Sequence, residues 1–358
     1  MEESELIKRK RALLQTIIFF DIFDFALTRE ELCEYMLYKQ WTLAELKEFT
    51  NHELFLVETH SHVYLKGRPL SVKVREDKEH YARKLIKKTK KYVKFMQMLP
   101  FVRMVALCNN LSFYNAERES DIDLFIVTEK NRMFLARSMV WLYTQILGVR
   151  RHGRKTRGRF CLTFFVAKDA LNLEHIKLEN DIYFVFWLRL MKPLTGHETY
   201  KELIAENKWI NKYFEYEIDN KKHLLPESKG LKKVQRITEF LFNGIIGDGI
   251  EYVLRKWQIH RSLKKAQKLE NRDGIIISGS ILKFHNDDMR AKYHSLWEGR
   301  FGQFEEFIQA SPLSDYDKQF LLQYHRTQTP FGVRSRHTDD TKSETIVHHS
   351  QKEQILVD

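Results

Sequence analysis

Two aspartates separated by one residue, Asp121 and Asp123, are the side chains of this sequence best placed to do chemistry. Residues 105–108 predict a short apolar strand, and after a polar turn residues 120–127 predict a second one that begins at the aspartates. Because strand side chains alternate between faces, both carboxylates would lie on one side, about 5–7 Å apart. The pair would repel unless a cation lay between them, so it could hold Mg²⁺ carrying nucleotide phosphates. Two solvated acids at a strand start are the simpler alternative.

The residues around this pair resemble the polymerase β-type nucleotidyltransferase superfamily. Its motif is Gly-Ser at a helix start, a short spacer, and then Asp-x-Asp within a strand. Residues 115–124, NAERESDIDL, match the second half closely, whereas Asn109 and Asn110 stand where the family has Gly and Ser. Asn tolerates left-handed backbone angles better than most residues, and its amide can donate to a phosphate.

The resemblance implies a Mg²⁺-dependent enzyme that moves a nucleoside monophosphate from an NTP to an acceptor hydroxyl. Asp121 and Asp123 would be the catalytic residues and the Mg²⁺ ligands. The substrate phosphates would be bound by amide, hydroxyl and cationic side chains: Asn109, Asn110, Ser120, Lys130 and Arg132. The basic segment 150–159 could also neutralise phosphate charge, although a solvated loop is its simpler interpretation.

The resemblance also implies a third carboxylate, the general base, in the following strand, predicted at residues 160–166. That strand contains no acid; Thr163 is its polar residue, and Asp169 lies beyond its end. A threonine cannot deprotonate a hydroxyl at neutral pH. Three alternatives stay open: Asp169 turns toward the site, the substrate supplies its own base, or the chemistry has been lost.

The functional alternatives follow from these departures from the motif. A degenerate member of the superfamily would bind nucleotide or RNA without catalysis, as a regulatory or adaptor protein. A third alternative is a DNA-binding regulator, because residues 1–70 predict helices followed by a hairpin, the order of a winged helix. The predicted third helix carries Glu45 and Glu48, where a recognition helix normally presents Arg, Lys, Asn or Gln, and this favours a packing role.

Composition narrows the class of protein further. The net charge of +12 favours polyanionic partners, here an NTP and RNA or another polyanionic acceptor. We expect no membrane partner, because no window reaches the roughly 20 apolar residues of a spanning helix. The N-terminus lacks the order of a signal peptide, and the three cysteines lack metal-ligand spacing. Both observations predict a cytoplasmic protein with reduced thiols.

The sequence predicts an α+β fold with a small mixed β-sheet nucleotidyltransferase core. A winged-helix-like domain (1–70) and a basic connecting helix (71–99) would precede the core (100–196), which includes a helix at 133–147. A helical domain (197–325) and a flexible tail (326–358) would follow. Residues 231–269 predict a basic amphipathic helix or helix pair whose apolar stripe belongs to the core. Residues 275–280 with Asp287 and Asp288 imitate a strand with acids, but adjacent aspartates on a strand would face opposite sides.

Overall fold

The architecture comes from a computed structural model, which describes residues 3–38, 41–50, 56–59, 62–68, 70–153, 155–215, 220–269, 272, 274–285 and 288–309. The helices in these residues are α1 (Glu3–Asp21), α2 (Arg29–Tyr35), α3 (Leu43–Thr50), α4 (Leu70–Met96), α5 (Met133–Ile146), α6 (Ile182–Leu190), α7 (His197–Glu206), α8 (Lys229–Leu241), α9 (Gly244–Ala266) and α10 (Arg290–Gln309). The strands are β1 (Leu56–Glu58), β2 (Val63–Leu65), β3 (Val102–Leu107), β4 (Ile122–Thr128), β5 (Phe160–Ala167), β6 (Lys192–Thr195), β7 (Ile275–Ile277) and β8 (Ile281–Phe284).

A mixed six-stranded sheet organises the molecule, in the order β6-β3-β4-β5-β8-β7. Strands β4 and β5 are parallel, with α5 between them in sequence, and the other neighbours are antiparallel. The predicted α+β character is therefore confirmed. The predictions for residues 105–108, 120–127 and 160–166 fall on β3, β4 and β5, and the helix predicted at 133–147 is α5.

Alternation along β4 assigns its side chains to two apolar layers. Phe125 and Val127 belong to the layer that also contains residues of α1, α6 and α10. Leu124 and Ile126 face the opposite layer, with residues of α4 and α5. Because both faces are covered, β4 is fixed in register, and the acid that interrupts its apolar pattern is held in a defined place.

The N-terminal helices belong to the same core as the sheet. Helix α2 begins at a capping box in which Thr28 and Glu31 exchange backbone and side-chain hydrogen bonds. The Phe19 ring stacks on Phe186 of α6 at 4.0 Å between centroids. The Trp297 indole of α10 donates to a carbonyl of α1 at 2.9 Å. The predicted hairpin is present as β1 and β2, while its turn at residues 60–61 lies outside the described residues.

The chain after residue 170 contains strands that the sequence analysis did not predict. Strand β6 pairs with β3, and the β7–β8 hairpin extends the sheet next to β5. The sheet therefore crosses the limit predicted at residue 196. Asp288 forms ion pairs with Lys283 and Arg290, whereas Asp287 and the predicted tail lie outside the described residues.

Helices α8 and α9 form the predicted helix pair, with the break at Gly244, whose φ is +62°. The expectation that their apolar stripe belongs to the core holds only in part. On α9, the buried Ala266 and the half-buried Ile250, Leu254, Ile259 and Leu263 pack on the apolar layer of α4 and α5. The buried residues of the pair also include three polar ones, Gln235, Glu251 and Gln258. A second set of apolar residues is exposed and forms what we call the outer face: Val234, Ile237, Phe240, Leu241, Ile245, Ile246, Tyr252, Val253 and Trp257. In the described part of the chain, no helix is both long and apolar enough to cross a membrane.

Candidate functional site

The two predicted carboxylates lie together at the start of β4. Asp121 immediately precedes the strand and Asp123 is its second residue, and both side chains are half-buried. One oxygen of each carboxylate and the sulfur of Cys161 all lie within 4.8 Å of one another. The geometry therefore agrees with the alternation argument, and it brings a thiol to the pair.

Burial and charge repulsion shape the electrostatics of the pair. Burial, followed by the neighbouring Asp121 carboxylate, raises the pKa of Asp123 to about 6. Hydrogen bonds from Asn109 and Cys161 and the positive charge of Arg151 oppose this rise. Burial and the neighbouring carboxylate therefore make it costly in free energy to ionise Asp123 near neutral pH. A divalent cation would reduce this cost, because opposite charge favours the ionised form.

Asn109 is the predicted phosphate contact that lies closest to the carboxylates. It begins a short 3₁₀ helix, Asn109–Phe113, with φ of +55°, a left-handed angle that asparagine accepts more readily than most residues. Its amide donates to Asp123. Asn110 is exposed beside it. The Ser120 hydroxyl accepts the Glu117 amide at 2.9 Å, so it also shapes the turn that precedes the aspartates.

The basic loop 150–159 returns to the same end of the sheet. The Gly158 amide donates to the Ser120 carbonyl at 2.8 Å, and the Ile122 amide donates to the Arg159 carbonyl at 2.9 Å. These bonds bring Arg151 onto the site, where its Nη1 lies 2.6 Å from Asp121 Oδ2 and 3.6 Å from Cys161 Sγ. The loop therefore places one cation, Arg151, beside the aspartates, and both interpretations of the loop stay predictions; Arg154 lies outside the described residues.

A thiol and a hydroxyl lie in the part of β5 where the resemblance implies a third acid. Cys161 pairs in register with Asp123, and its sulfur lies 3.4 Å from the Thr163 hydroxyl. Burial, then Asp123 and Asp121, raise the pKa of Cys161 to about 12, so the thiol stays protonated. Asp169 follows the far end of β5, roughly 20 Å or more away at about 3.3 Å per residue. Turning Asp169 into the site would require unpairing β5, so this alternative does not fit the fold.

Lys130 and Arg132 are not brought to the carboxylates. Strand β4 carries the chain about 3.3 Å per residue, which places Lys130 roughly 20 Å from Asp123. Lys130 lies 3.9 Å from an Asp169 oxygen, and Arg132 forms an ion pair with Asp248 at 2.6 Å. Both line a separate depression of about 400 Å³ at the opposite end of the strand. Their predicted role beside Asp121 and Asp123 is therefore corrected by the direction of β4.

The chain matches no family model, no curated protein and no solved structure. The function must therefore be argued from the geometry of the site. Sequence reasoning missed Cys161, because its importance appears only when β5 lies parallel to β4 in the observed register. Arg151 was included only as one member of a basic loop. The indication available in the sequence was that this loop leads directly into the strand beside the aspartates.

Proposed function

We propose that the protein is a Mg²⁺-dependent nucleotidyltransferase that moves a nucleoside monophosphate from an NTP to an acceptor hydroxyl. The observation that carries the proposal is the close approach of the Asp121 and Asp123 oxygens, within 4.8 Å at one end of the central sheet. Oxygen ligands in such a pair suit Mg²⁺, which is commonly held by one or two carboxylates together with substrate phosphates. A nearby thiol that stays protonated leaves the two carboxylates as the ligands.

The residues around the pair have separate roles in this proposal. Asp121 and Asp123 would hold Mg²⁺, which when bound neutralises charge on the phosphates and on the departing pyrophosphate. Arg151 now forms an ion pair with Asp121, and it can turn its guanidinium to phosphate oxygens once a cation neutralises that carboxylate. Asn109 and the exposed Asn110 supply amide donors at the same end of β4.

Deprotonation of the acceptor is the step for which the described residues of the site offer no base apart from the two carboxylates assigned to Mg²⁺. Neither the Cys161 thiol, with its pKa of about 12, nor the Thr163 hydroxyl can act as a base at neutral pH. The proposal therefore requires an acceptor that loses its proton readily or that is deprotonated by a phosphate of the substrate. RNA or another polyanionic acceptor fits the positive charge of the chain.

The same observation supports a second candidate function. A protein that binds Mg²⁺ and NTP but does not transfer the nucleotide would keep the aspartate pair and Arg151 while losing the third acid. The presence of Cys161 and Thr163 at the matching place in β5 favours this candidate. It would serve as a regulatory or adaptor protein.

A DNA-binding regulator has less support from the described contacts. The Glu45 carboxylate of α3 accepts the Thr42 amide at 2.8 Å and forms an ion pair with Arg9 at 3.0 Å. All three residues of β2, the second strand of the hairpin, are buried. A DNA-binding helix and wing need surfaces free for the duplex, so we retain this function only as an outcome of the test.

One experiment separates these candidates. The full chain is incubated with each labelled NTP, Mg²⁺ or Mn²⁺, and mixed RNA and protein acceptors. Transfer that is lost in Asp121→Asn and Asp123→Asn, and kept in the matched surface variant Glu119→Gln, supports the enzyme. Binding of Mg²⁺ and NTP without transfer supports the second candidate. Duplex DNA binding without binding of Mg²⁺ or NTP would refute both and support the regulator.

A further inference from the structure

The outer face of α8 and α9 is an exposed apolar surface on a helix pair that is attached to the sheet by its other side. The side chain of Gln235 turns inward and donates to two carbonyls of the β3 region, at 2.8 and 3.0 Å. Glu251 accepts the amides of Phe134 and Leu135, at 2.9 and 2.7 Å, and so caps the start of α5. These polar contacts act together with the inward apolar side chains of α9, and the second apolar set of the pair faces outward.

The most exposed apolar residues meet at the turn between the two helices. Ile245 is 91% exposed, Phe240 is 83% exposed and Ile246 is 70% exposed. Leu241 and Ile237 extend this tip along α8, and Val253 and Trp257 extend it along α9. A large exposed apolar surface of this kind normally marks an interaction site.

Charge around this face is strongly biased. Helix α8 contains four Lys or Arg residues and α9 contains five, against one acid in α8 and two in α9. The acids are engaged with the rest of the protein: Glu239 pairs with Arg103, Asp248 pairs with Arg132, and Glu251 caps α5. Lys233, Arg236 and Lys256, in contrast, are exposed among the apolar side chains.

These features together indicate the chemistry of the partner. A second copy of the chain would bring the same cations against each other across a symmetric interface. Single-stranded RNA is bound by cations and stacking aromatic rings, but the tip is mainly aliphatic, and aliphatic side chains do not stack on bases. An anionic lipid surface offers negative charge for the cations and an apolar layer for Ile, Leu and Phe side chains.

We infer that the outer face of α8 and α9 binds the surface of an anionic phospholipid bilayer, with Phe240, Leu241, Ile245 and Ile246 inserted below the headgroups. The expectation of no membrane partner rested on the absence of a spanning segment, which does not bear on a helix pair lying on the surface. Helix α9 runs from this tip for about 30 Å, and Ala266 at its far end belongs to the apolar layer that also contains Ile275 and Ile277 of β7.

The test is sedimentation of the full chain with vesicles. Vesicles of phosphatidylcholine containing phosphatidylglycerol should carry the protein down, vesicles of phosphatidylcholine alone should not, and raising the salt to about 0.5 M should weaken binding. The double variant Phe240→Ser/Ile245→Ser should lower the partition coefficient at least about tenfold, because it removes most of the inserted apolar surface. Lys233→Glu/Arg236→Glu should lower it by a similar factor.

The matched control is Leu43→Ser, which removes another exposed apolar side chain, 48% exposed, from α3. It should leave vesicle binding unchanged, and all variants should keep the circular dichroism and melting temperature of the parent. The inference is overturned if anionic vesicles bind no protein, or if binding ignores the Phe240→Ser/Ile245→Ser variant. It is also overturned if the parent is a dimer by light scattering and Phe240→Ser/Ile245→Ser is a monomer. Binding of RNA but not of vesicles at this face would overturn it as well. NTP transfer is measured in a separate assay, so the result of the vesicle experiment does not depend on whether the proposed nucleotidyltransferase activity is present.

Discussion

Replacing Asp123 by Asn should stabilise the metal-free protein, and by more at neutral than at acidic pH. The pKa of Asp123 rises from the ordinary 3.8 to about 6, first through burial and then through Asp121. The folded protein therefore holds the Asp123 proton more tightly than the unfolded chain does. Ionising Asp123 opposes folding, so the penalty is absent well below pH 3.8, grows between about pH 4 and 6, and is complete above that range.

The size of the effect follows from the difference between the two pKa values. At about 1.4 kcal/mol per unit, a shift of roughly two units costs at most about 3 kcal/mol at pH 7.5. At pH 4.5, where the folded protein keeps the proton, the same linkage gives about 1 kcal/mol. The stability gained by Asp123→Asn should therefore increase by about 2 kcal/mol between these two pH values.

Urea unfolding of the full chain at pH 4.5 and 7.5, with chelator present, measures this difference. The control is Glu119→Gln in the same turn; that side chain is 72% exposed, and the change should alter stability by less than about 0.5 kcal/mol at either pH. Adding Mg²⁺ should stabilise the parent and not the Asp123→Asn variant, because ligand binding to the folded state adds to its stability. A gain that is equal at both pH values would refute the electrostatic account of the pair.

Three further predictions concern other parts of the molecule. Gly196→Ala should destabilise the protein by more than about 2 kcal/mol in urea, because the new Cβ would overlap backbone of β3; Gly148→Ala, also at positive φ but with open space, should cost only about 1 kcal/mol. Cys161, whose pKa burial and the two aspartates raise to about 12, should resist iodoacetamide at pH 8 in the folded protein and react in urea, as read by mass spectrometry of its peptide. Arg290→Met should lower the urea midpoint by the equivalent of about 3–5 kcal/mol, since it leaves the buried Asp288 carboxylate without one of its partners, and equal stability would refute that role.

The part of the fold that the sequence predicted best is the part with the strongest alternation. Strands β3, β4 and β5 consist largely of apolar and β-branched residues between polar turns, and α5 has a clear apolar face, so these elements were placed within a few residues. Strand β6 has four residues, and its place is fixed by pairing with β3, which lies far from it in sequence. Strand β7 has three residues and pairs with β8 in a hairpin, and the join of that hairpin to β5 is what the local pattern does not contain.

The candidate site was predicted only as far as local geometry reaches. Asp121 and Asp123 share a face because of strand alternation, which the sequence contains. The distance of Lys130 and Arg132 from them depends on the direction of β4, and the approach of Cys161 depends on its parallel pairing with β5. Periodicity predicts one buried apolar stripe on α8 and α9, whereas the pair carries apolar residues on two sides, and only the side with Ile250, Leu254 and Leu263 packs on the core.

The position of β8 beside β5 has a consequence for synthesis of the chain. Strand β5 ends at Ala167, but its second neighbour, β8, begins at Ile281, so on the ribosome one edge of the sheet stays open while the intervening helices are made. The interval is longer still for α1, because the Trp297 indole that donates a hydrogen bond to it belongs to α10. An open apolar edge pairs readily with other chains, so the growing polypeptide passes through a long period in which aggregation competes with folding.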